Sequence, residues 1–231
     1  MPTQNVLLVG SHGNHKTGIN YVLMEIAAAL KDYHLSYASI SGGRTQKHYL
    51  ASKIPTYDAV GDPRRLLEVI ANVRPDVVIS FDDVWHLEAI EYARSKYPFY
   101  WVHYFLTEEA QLHPGKTVQQ PDRTYKVDMR PTLDRCDALI PSTTHSEAVA
   151  KAWQLENIQP LLHPPVPVNT FSYSRKLRDN FRELHGYDSK DFVFVVVAKN
   201  FIRKNIPFVM ECMFYLQREA DKLPRKYSPG G

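Results

Sequence analysis

The chain has 231 residues, of which 44% are hydrophobic and 23% are charged, and its formal net charge is +3. The length predicts one large domain or two, and the hydrophobic content excludes a mainly disordered protein. No apolar run approaches the ~20 residues that a membrane span needs, and we expect no secretory signal. The charge is mild and its two signs are interleaved, so we predict no nucleic-acid partner.

The two cysteines, Cys136 and Cys212, lie far apart in the sequence, and neither has a Cys-x-x-Cys partner. This spacing excludes a disulfide-rich scaffold and a cysteine zinc site. It favours a reducing compartment, and the predicted location is therefore the cytoplasm.

The first forty residues predict a βαβ unit, which pairs its strands in parallel with a right-handed crossover. A buried strand over 6–10 precedes a polar loop, a helix with regularly spaced apolar residues from Ile19 to Leu30, and a strand over 35–40. The alternation continues, with strands predicted over 57–60, 76–80, 99–105 and 138–141 and helices over 62–70, 84–95 and 146–153. Residues 107–131 are predicted to form a long functional loop with some helix.

The second part of the chain follows a proline-dense, extended stretch over 160–168. We predict a basic helix over 175–186, a strand over 192–198 and a helix over 207–220. So few elements do not build a stable independent sheet domain. The predicted fold class is α/β: a Rossmann-like parallel sheet with helices on both faces in residues 1–170, then an incomplete second α/β domain in residues 171–231.

Glycines at positions 10, 13 and 18 lie between the first strand and the first helix, where the amides of a helix N-terminus favour a phosphate. A P-loop is excluded because Lys16 and Thr17 precede Gly18 instead of following it. The GxGxxG spacing of a dinucleotide site is also absent. On the loop alone, a glycine turn without a ligand is an equally good interpretation.

Four segments carry motifs that occur together in one enzyme family. Residues 17–30 (TGINYVLMEIAAAL) are similar to GGIGRYVxELAxAL, and residues 163–171 (HPPVPVNTF) to PNGVDxxxF. Residues 181–192 (FRELHGYDSKDF) are similar to LRxxxGLxxDDFV, and residues 198–204 (AKNFIRK) to GRxxxxKG. Together they resemble the family 4 retaining glycosyltransferases of the GT-B fold over nearly the whole chain. The family's Glu-x7-Glu segment, which holds the donor sugar and ribose, lies further downstream and is not among these residues.

The resemblance implies a site for the donor phosphates. Its residues would be Gly18, Lys199, Arg203 and Lys204. Lys199 stands where the family has arginine, so the charge is kept and bidentate geometry is lost; Arg203 would replace it in part. Without the resemblance, these lysines would be interpreted as solvated loop charges. Three loop residues would lie near the donor and the acceptor: Lys16, Thr17 and Asn20.

The predicted catalytic residues are His103 and Glu108. Many relatives carry a histidine near the donor sugar, at the end of the strand that matches 99–105. Counting along that strand places it on Tyr104, so His103 is one residue short, and a role in the core stays an open alternative. Glu108, or its neighbour Glu109, is predicted to activate the acceptor. Ser142, Thr143 and Thr144 lie at a later strand end, where capping is the favoured role.

No metal site is predicted. Asp82 and Asp83 come nearest to a metal-binding DxD pair, and we interpret them as a strand-end turn and a helix cap. The metal-independence is implied by the resemblance.

A basic, aromatic surface near Arg64 and Arg65 leaves peripheral contact with membrane lipid as an open alternative, as in relatives with lipid-linked acceptors.

The function implied is transfer of a hexosyl group from a UDP- or GDP-sugar to a glycan, lipid-linked or protein acceptor. Configuration would be retained, and no cofactor besides the nucleotide-sugar substrate would be needed. Two alternatives stay open: a Rossmann-like nucleotide- or glycan-binding module without chemistry, and a GT-B nucleotide-sugar epimerase. We expect the 231 residues by themselves to fold and to be inactive, because most of a donor domain is missing from them.

Overall fold

The computed structural model describes residues 4–11, 18–42, 53–107, 117–120, 123–126, 130–165, 172–196 and 205–220. Contacts divide the chain into two compact units, Met1–Thr170 and Phe171–Gly231. Each unit is described by itself. The assignment of the second unit as the beginning of a donor-binding domain stays a prediction.

The first unit contains eight strands and five helices among its described residues. The strands are β1 Asn5–Ser11, β2 His34–Ser41, β3 Thr56–Asp58, β4 Val77–Phe81, β5 Tyr100–Phe105, β6 Thr117–Gln120, β7 Arg123–Lys126 and β8 Ala138–Pro141. The helices are α1 Gly18–Ala29, α2 Pro63–Val73, α3 Glu88–Arg94, α4 Arg130–Asp134 and α5 Thr144–Ala152. Six strands form one parallel sheet in the order β3-β2-β1-β4-β5-β8. The fold is α/β and Rossmann-like, as predicted.

Apolar residues on both faces of the sheet explain why its strands have continuous hydrophobic runs. On β1, Leu7 and Val9 belong to one buried cluster, together with residues of α2, α3 and α5. Val6 and Leu8 point to the opposite face and belong to a second cluster, which includes Val22 and other residues of α1. The central strands are therefore covered by helices on both sides, which fixes the position of their carboxyl ends.

Helix starts follow the local signals in the sequence. The side chain of Asp62 accepts a hydrogen bond from the Arg64 amide at 3.0 Å, and Pro63 occupies the first position of α2, as expected. The side chain of Thr143 accepts from the Ser146 amide at 3.0 Å and caps α5. This confirms the predicted capping role.

Two predictions for the first unit are wrong in detail. The helix expected over 84–95 divides into a 3-10 turn, Val84–His86, and α3. The turn is tightened by the Asp82 carboxylate, which binds both the Asp83 amide and the His86 ring. Within 107–131, β6 and β7 pair as an antiparallel hairpin where a loop with some helix was expected. Their Thr, Val and Tyr residues favour strands, but runs of four residues give a weak pattern.

The second unit contains α6 Arg175–His185 and α7 Ile206–Ala220, which confirms both predicted helices. Ser174 caps the start of α6, and Gly186, with φ at 70°, ends it. The strand expected over 192–198 is wrong for residues 192–196, which have no regular secondary structure. A strand is stabilised by hydrogen bonds to a neighbour, and no other strand occurs among the described residues of this unit. Residues 197 and 198 lie outside the described part.

No helix in the described residues combines the length and the apolar character required to cross a bilayer.

Candidate functional site

The candidate site lies at the carboxyl ends of the central strands. The chain order along the sheet reverses between β1 and β4, because β2 and β3 lie on one side of β1, and β4, β5 and β8 on the other. In open α/β sheets, the crevice at such a reversal is where ligands bind. Polar side chains from β1, β2 and the end of β4 converge at this edge, and they form two hydrogen-bonded groups.

The first group joins β1, β2 and α1. Ser11 Oγ donates to Asn20 Oδ1 at 3.1 Å, and the Tyr37 hydroxyl donates to the Ser11 carbonyl oxygen at 2.6 Å. The Tyr37 hydroxyl also lies 3.1 Å from Asn20 Oδ1. Burial, and after it the charge of Asp82, raises the pKa of Tyr37 above its ordinary value, so the phenol stays protonated and donates. Asn20, predicted to lie near the ligand, is thus buried and fixed at this edge.

The second group is centred on Asp82, which follows β4. Ser41 Oγ, at the end of β2, donates to Asp82 Oδ2 at 2.6 Å. Asp82 Oδ1 accepts from the Asp83 amide at 2.8 Å and lies 2.9 Å from His86 Nδ1. The Asp82 side chain is 1% exposed and that of His86 is 34% exposed. A buried carboxylate therefore holds an imidazole that reaches solvent.

Asp82, Asp83 and His86 also offer three ligand atoms, all within 4.8 Å of one another. Asp82 and Asp83 were interpreted as a strand-end turn and a helix cap. The turn is present, and Asp83 precedes the 3-10 turn, but its side chain makes no capping hydrogen bond there. The carboxylate of Asp82, not that of Asp83, organises this segment. Metal-independence stays a prediction.

His103, the predicted catalytic histidine, lies on β5 and is fully buried. Its Nδ1 lies 2.9 Å from Ser80 Oγ, which also accepts a hydrogen bond from Trp101 Nε1 at 2.9 Å. Burial lowers the pKa of His103 to about 4, so the ring is neutral at pH 7. Its Nε2 has no hydrogen-bond partner in the part of the chain that the structure describes. This environment is that of a core histidine, and the catalytic role stays a prediction.

Counting along the strand places the histidine of the family at Tyr104. The Tyr104 side chain points to the face of β5 opposite to that of His103. Its ring packs edge-on against Phe81, with centroids 4.9 Å apart. Its hydroxyl donates to the Leu162 carbonyl oxygen at 2.5 Å, and burial raises its pKa to about 12. Tyr104 therefore anchors the extended segment that follows α5.

Gly10, near the end of β1, and Gly18, at the start of α1, have different roles. A Cβ added to Gly10 would overlap Leu23 and would lie 2.8 Å from the Phe81 carbonyl oxygen, so packing alone requires glycine there. Gly18 is the first residue of α1, and a Cβ added to it would meet nothing within 4 Å. Packing of the described residues does not explain Gly18, and its phosphate role stays a prediction.

Most of the other predicted site residues lie outside the described residues: Lys16, Thr17, Glu108, Glu109, Lys199, Arg203 and Lys204. Ser142 Oγ donates to the Phe105 carbonyl oxygen at 2.9 Å and is buried, so it holds two neighbouring strand ends together.

Sequence reasoning missed Ser41, Tyr37 and His86. The available signal was the Asp-x-x-x-His spacing from Asp82, which places the two side chains one helical turn apart. Ser41 ends a predicted strand, but its pairing with Asp82 depends on the strand order. That order is a property of the tertiary fold.

Comparison with solved structures shows the fold. The chain aligns with sucrose-phosphate synthase from Thermosynechococcus elongatus at a TM-score of 0.66 and 13% identity, over 91% of this chain and 59% of that one. LpCGTa in complex with UDP aligns at 0.51 and 13% identity, over 77% and 56%. An alpha-glucosyltransferase (AGT) in complex with UDP aligns at 0.49 and 12% identity, over 77% and 48%.

The chain therefore spans less than two thirds of the length of each of these proteins. No protein-family model matches it, and no curated protein matches it in sequence. The first unit has a Rossmann-like α/β fold, as the likeness to sucrose-phosphate synthase shows.

Proposed function

We propose that this chain is part of a glycosyltransferase that uses a nucleotide-sugar donor. The observation that carries the proposal is the convergence of Ser11, Ser41 and Asp82 at the switch point of a Rossmann-like sheet, where such sheets bind ligands. The fold likeness to a sucrose-phosphate synthase and to LpCGTa in complex with UDP supports the same class. In this proposal, residues 1–170 form the acceptor-side domain.

The resemblance of residues 198–204 to GRxxxxKG supports a role for Lys199 and Lys204 on the donor. Transfer requires a leaving group whose negative charge is stabilised as the bond to the sugar breaks. The positive charges of two lysines within one short segment would provide this stabilisation, and Arg203 adds a third cation. The finer proposal is a family 4, metal-independent hexosyltransferase that uses a UDP- or GDP-sugar and retains configuration, on a glycan, lipid-linked or protein acceptor.

The donor site is tested by calorimetry with UDP and with GDP on the full-length protein. Charge-assisted hydrogen bonds contribute roughly 1.5–3 kcal/mol each, so Lys204→Ala should weaken binding about 10- to 150-fold. The matched control is Lys31→Ala, an exposed lysine after α1. Titrations at low and at moderate salt show whether the effect is electrostatic. Equal affinities of the two variants would remove the phosphate site and favour solvated loop charges.

Activity is tested with UDP- and GDP-sugars on the same protein, with the anomeric configuration of the product and the effect of a chelator as further readouts. A product of inverted configuration would contradict retention, and loss of activity on chelation would contradict metal-independence. Interconversion of the nucleotide-sugar without an acceptor would instead indicate an epimerase.

The 231 residues by themselves are proposed to be a nucleotide- or glycan-binding module without turnover. This second proposal is favoured by their span of 59% of sucrose-phosphate synthase. Detectable transfer by these residues alone would contradict it.

A further inference from the structure

A cavity of about 830 Å³ lies at the amino ends of β1 and β2, at the edge of the sheet opposite to the candidate site. It is lined by the last turns of α1, the first residues of β2, the segment before β3 and the end of α2. Sites for small molecules have volumes of roughly 300–1,000 Å³. The cavity is therefore large enough to hold a ligand of that size.

The cavity exists because β3 is too short to cover the beginning of β2. The two strands pair from Tyr37 and Thr56 onward, so the first three residues of β2 have no strand on that side among the described residues. The Tyr37 amide donates to the Pro55 carbonyl oxygen at 2.9 Å. One step earlier in a parallel ladder, the amide of residue 55 would donate to the Leu35 carbonyl oxygen, and proline has no amide hydrogen. Pro55 therefore ends the ladder and leaves this space between the helices.

Most of the surface that lines the cavity is apolar. The margins of the two buried clusters meet here, and the residues that they contribute are Met24, Ala27, Leu35 and Ile54 from one cluster, and Tyr57 and Val73 from the other. All of these except Ala27 are only partly buried. A ligand that covered them would remove apolar surface from water, which is the main favourable contribution to such binding.

The charged groups of the cavity are cationic. Lys31 follows α1, His34 begins β2 and Lys53 precedes β3, and all three are exposed residues that line the cavity. No acidic residue lines it among those that the structure describes. Lysine offers a positive charge and hydrogen-bond donors but no acceptor, so this lining favours an anionic head group.

The helix ends indicate how much negative charge the cavity accepts. It lies beside the carboxyl ends of α1 and α2, where the helix dipoles are negative. Two lysines outweigh these partial charges for a head group with one negative charge, but a phosphate dianion would meet twice the repulsion. A single carboxylate therefore matches this cavity better.

We propose that this cavity binds a small amphipathic carboxylate, whose alkyl chain covers the apolar lining and whose head group interacts with Lys31 and Lys53. The site lies away from the crevice at the carboxyl ends of the strands, and it does not depend on the proposed glycosyl transfer. UDP and GDP carry no alkyl chain, so Lys31→Ala stays a suitable control for binding of the donor.

Calorimetry on the full-length protein tests the ligand class with octanoate, hexanoate, acetate and octan-1-ol. Each buried CH₂ group should tighten binding by up to about fourfold, so octanoate should bind up to about 15-fold more tightly than hexanoate. Acetate has the charge without the chain and should show no measurable binding. Octan-1-ol has the chain without the charge and should bind more weakly than octanoate.

A pair of matched variants tests the location through the apolar lining. Ala28 and Ala29 are neighbouring exposed residues of α1, and of the two only Ala28 lines the cavity. Ala28→Trp should occupy the space of the chain and weaken octanoate binding by roughly tenfold or more, which corresponds to the loss of two buried CH₂ groups. Ala29→Trp should bind octanoate as the wild type does.

A second pair tests the charge. Lys31→Glu should weaken octanoate binding by about 2- to 30-fold, because exposed ion pairs are weak and the reversal replaces attraction by repulsion. Lys96→Glu changes an exposed lysine that follows α3 and does not line the cavity, and it should have no effect. This pair gives a decision even if Ala28→Trp fails to fold, because both of its positions are exposed.

Three results would overturn the proposal. The first is a wild type that does not bind octanoate, and the second is equal octanoate binding within each pair of variants. The third is octan-1-ol binding as tightly as octanoate, since the cavity would then not select an anion. Analytical ultracentrifugation adds one further outcome: a wild-type dimer that Ala28→Trp dissociates would assign the cavity to a second copy of this chain instead. None of these results bears on the glycosyltransferase proposal.

Discussion

The two units bury their apolar residues to different degrees. In the first unit, Leu7 and Leu8 of β1 are inaccessible to solvent, on opposite faces of a sheet that is covered by helices. In the second unit, Leu184 of α6 is 80% exposed and Phe192 is 88% exposed. Residues 192–196 are as apolar in sequence as β1, so composition does not distinguish these two segments. An apolar run becomes a buried strand only where partner strands from elsewhere in the sequence complete the ladder and the core.

The largest expected difference between the two units is in the loss of stability caused by replacing a leucine with alanine in each. Leu8→Ala should lower the free energy of unfolding by about 2–5 kcal/mol, because it removes a fully buried side chain and leaves a cavity. Leu184→Ala removes a side chain that is mostly in solvent, and its effect should stay within about 0.5 kcal/mol. Chemical denaturation followed by circular dichroism measures both. Equal losses would show that the second unit is packed more tightly than described.

A pH-dependent loss of stability should come from the first unit. The pKa of His103 is about 4 in the folded protein, below its ordinary value near 6.5, so the unfolded chain binds the proton more tightly. Stability should therefore be fully present above pH 6.5. It should fall by on the order of 3 kcal/mol as the pH is lowered to about 4.

Unfolding free energies at several pH values test this in the wild type and in His103→Gln, which lacks the titrating ring. His185→Gln, at an exposed position in α6, serves as the control and should keep the wild-type slope. If His103→Gln also keeps that slope, His103 is not the group responsible.

The parts of the fold predicted from the sequence are those encoded locally. Asp62-Pro63 and Thr143 give helix starts, and the apolar runs of β1, β4 and β5 give buried parallel strands. The predicted strand at 192–196 was wrong because a strand also needs a neighbour, which one segment of sequence does not specify. The β6-β7 hairpin was missed because its strands are only four residues long.

The candidate site was predicted less completely for a similar reason. Asn20 was expected near the ligand and lies at the switch point, held by Ser11 and Tyr37. The bond between Ser41 and Asp82 joins residues 41 positions apart, and it exists because β1 separates their strands in the sheet. That strand order follows from the packing of the whole unit, so the side chains at its carboxyl edge could not be paired from the sequence.

The smallest expected effects concern glycines, which the two units need for different reasons. Gly10→Ala should cost about 1–3 kcal/mol, because the new methyl group overlaps Leu23 and approaches the Phe81 carbonyl oxygen within 2.8 Å. Gly186 has open space around it but a φ of 70°, so Gly186→Ala should cost only about 1 kcal/mol of backbone strain.

Denaturation measures the first substitution, and amide exchange measures the second. The Tyr187 amide donates to the Arg182 carbonyl oxygen at 2.9 Å across the end of α6, so its exchange should become about fivefold faster in Gly186→Ala. Exchange on β1 should not change in that variant, because the strain is local to the helix end. If Gly10→Ala is the milder of the two substitutions, β1 and α1 are not as closely packed as the overlap at Leu23 requires. The contrast between a tightly packed first unit and an open second unit would then be lost.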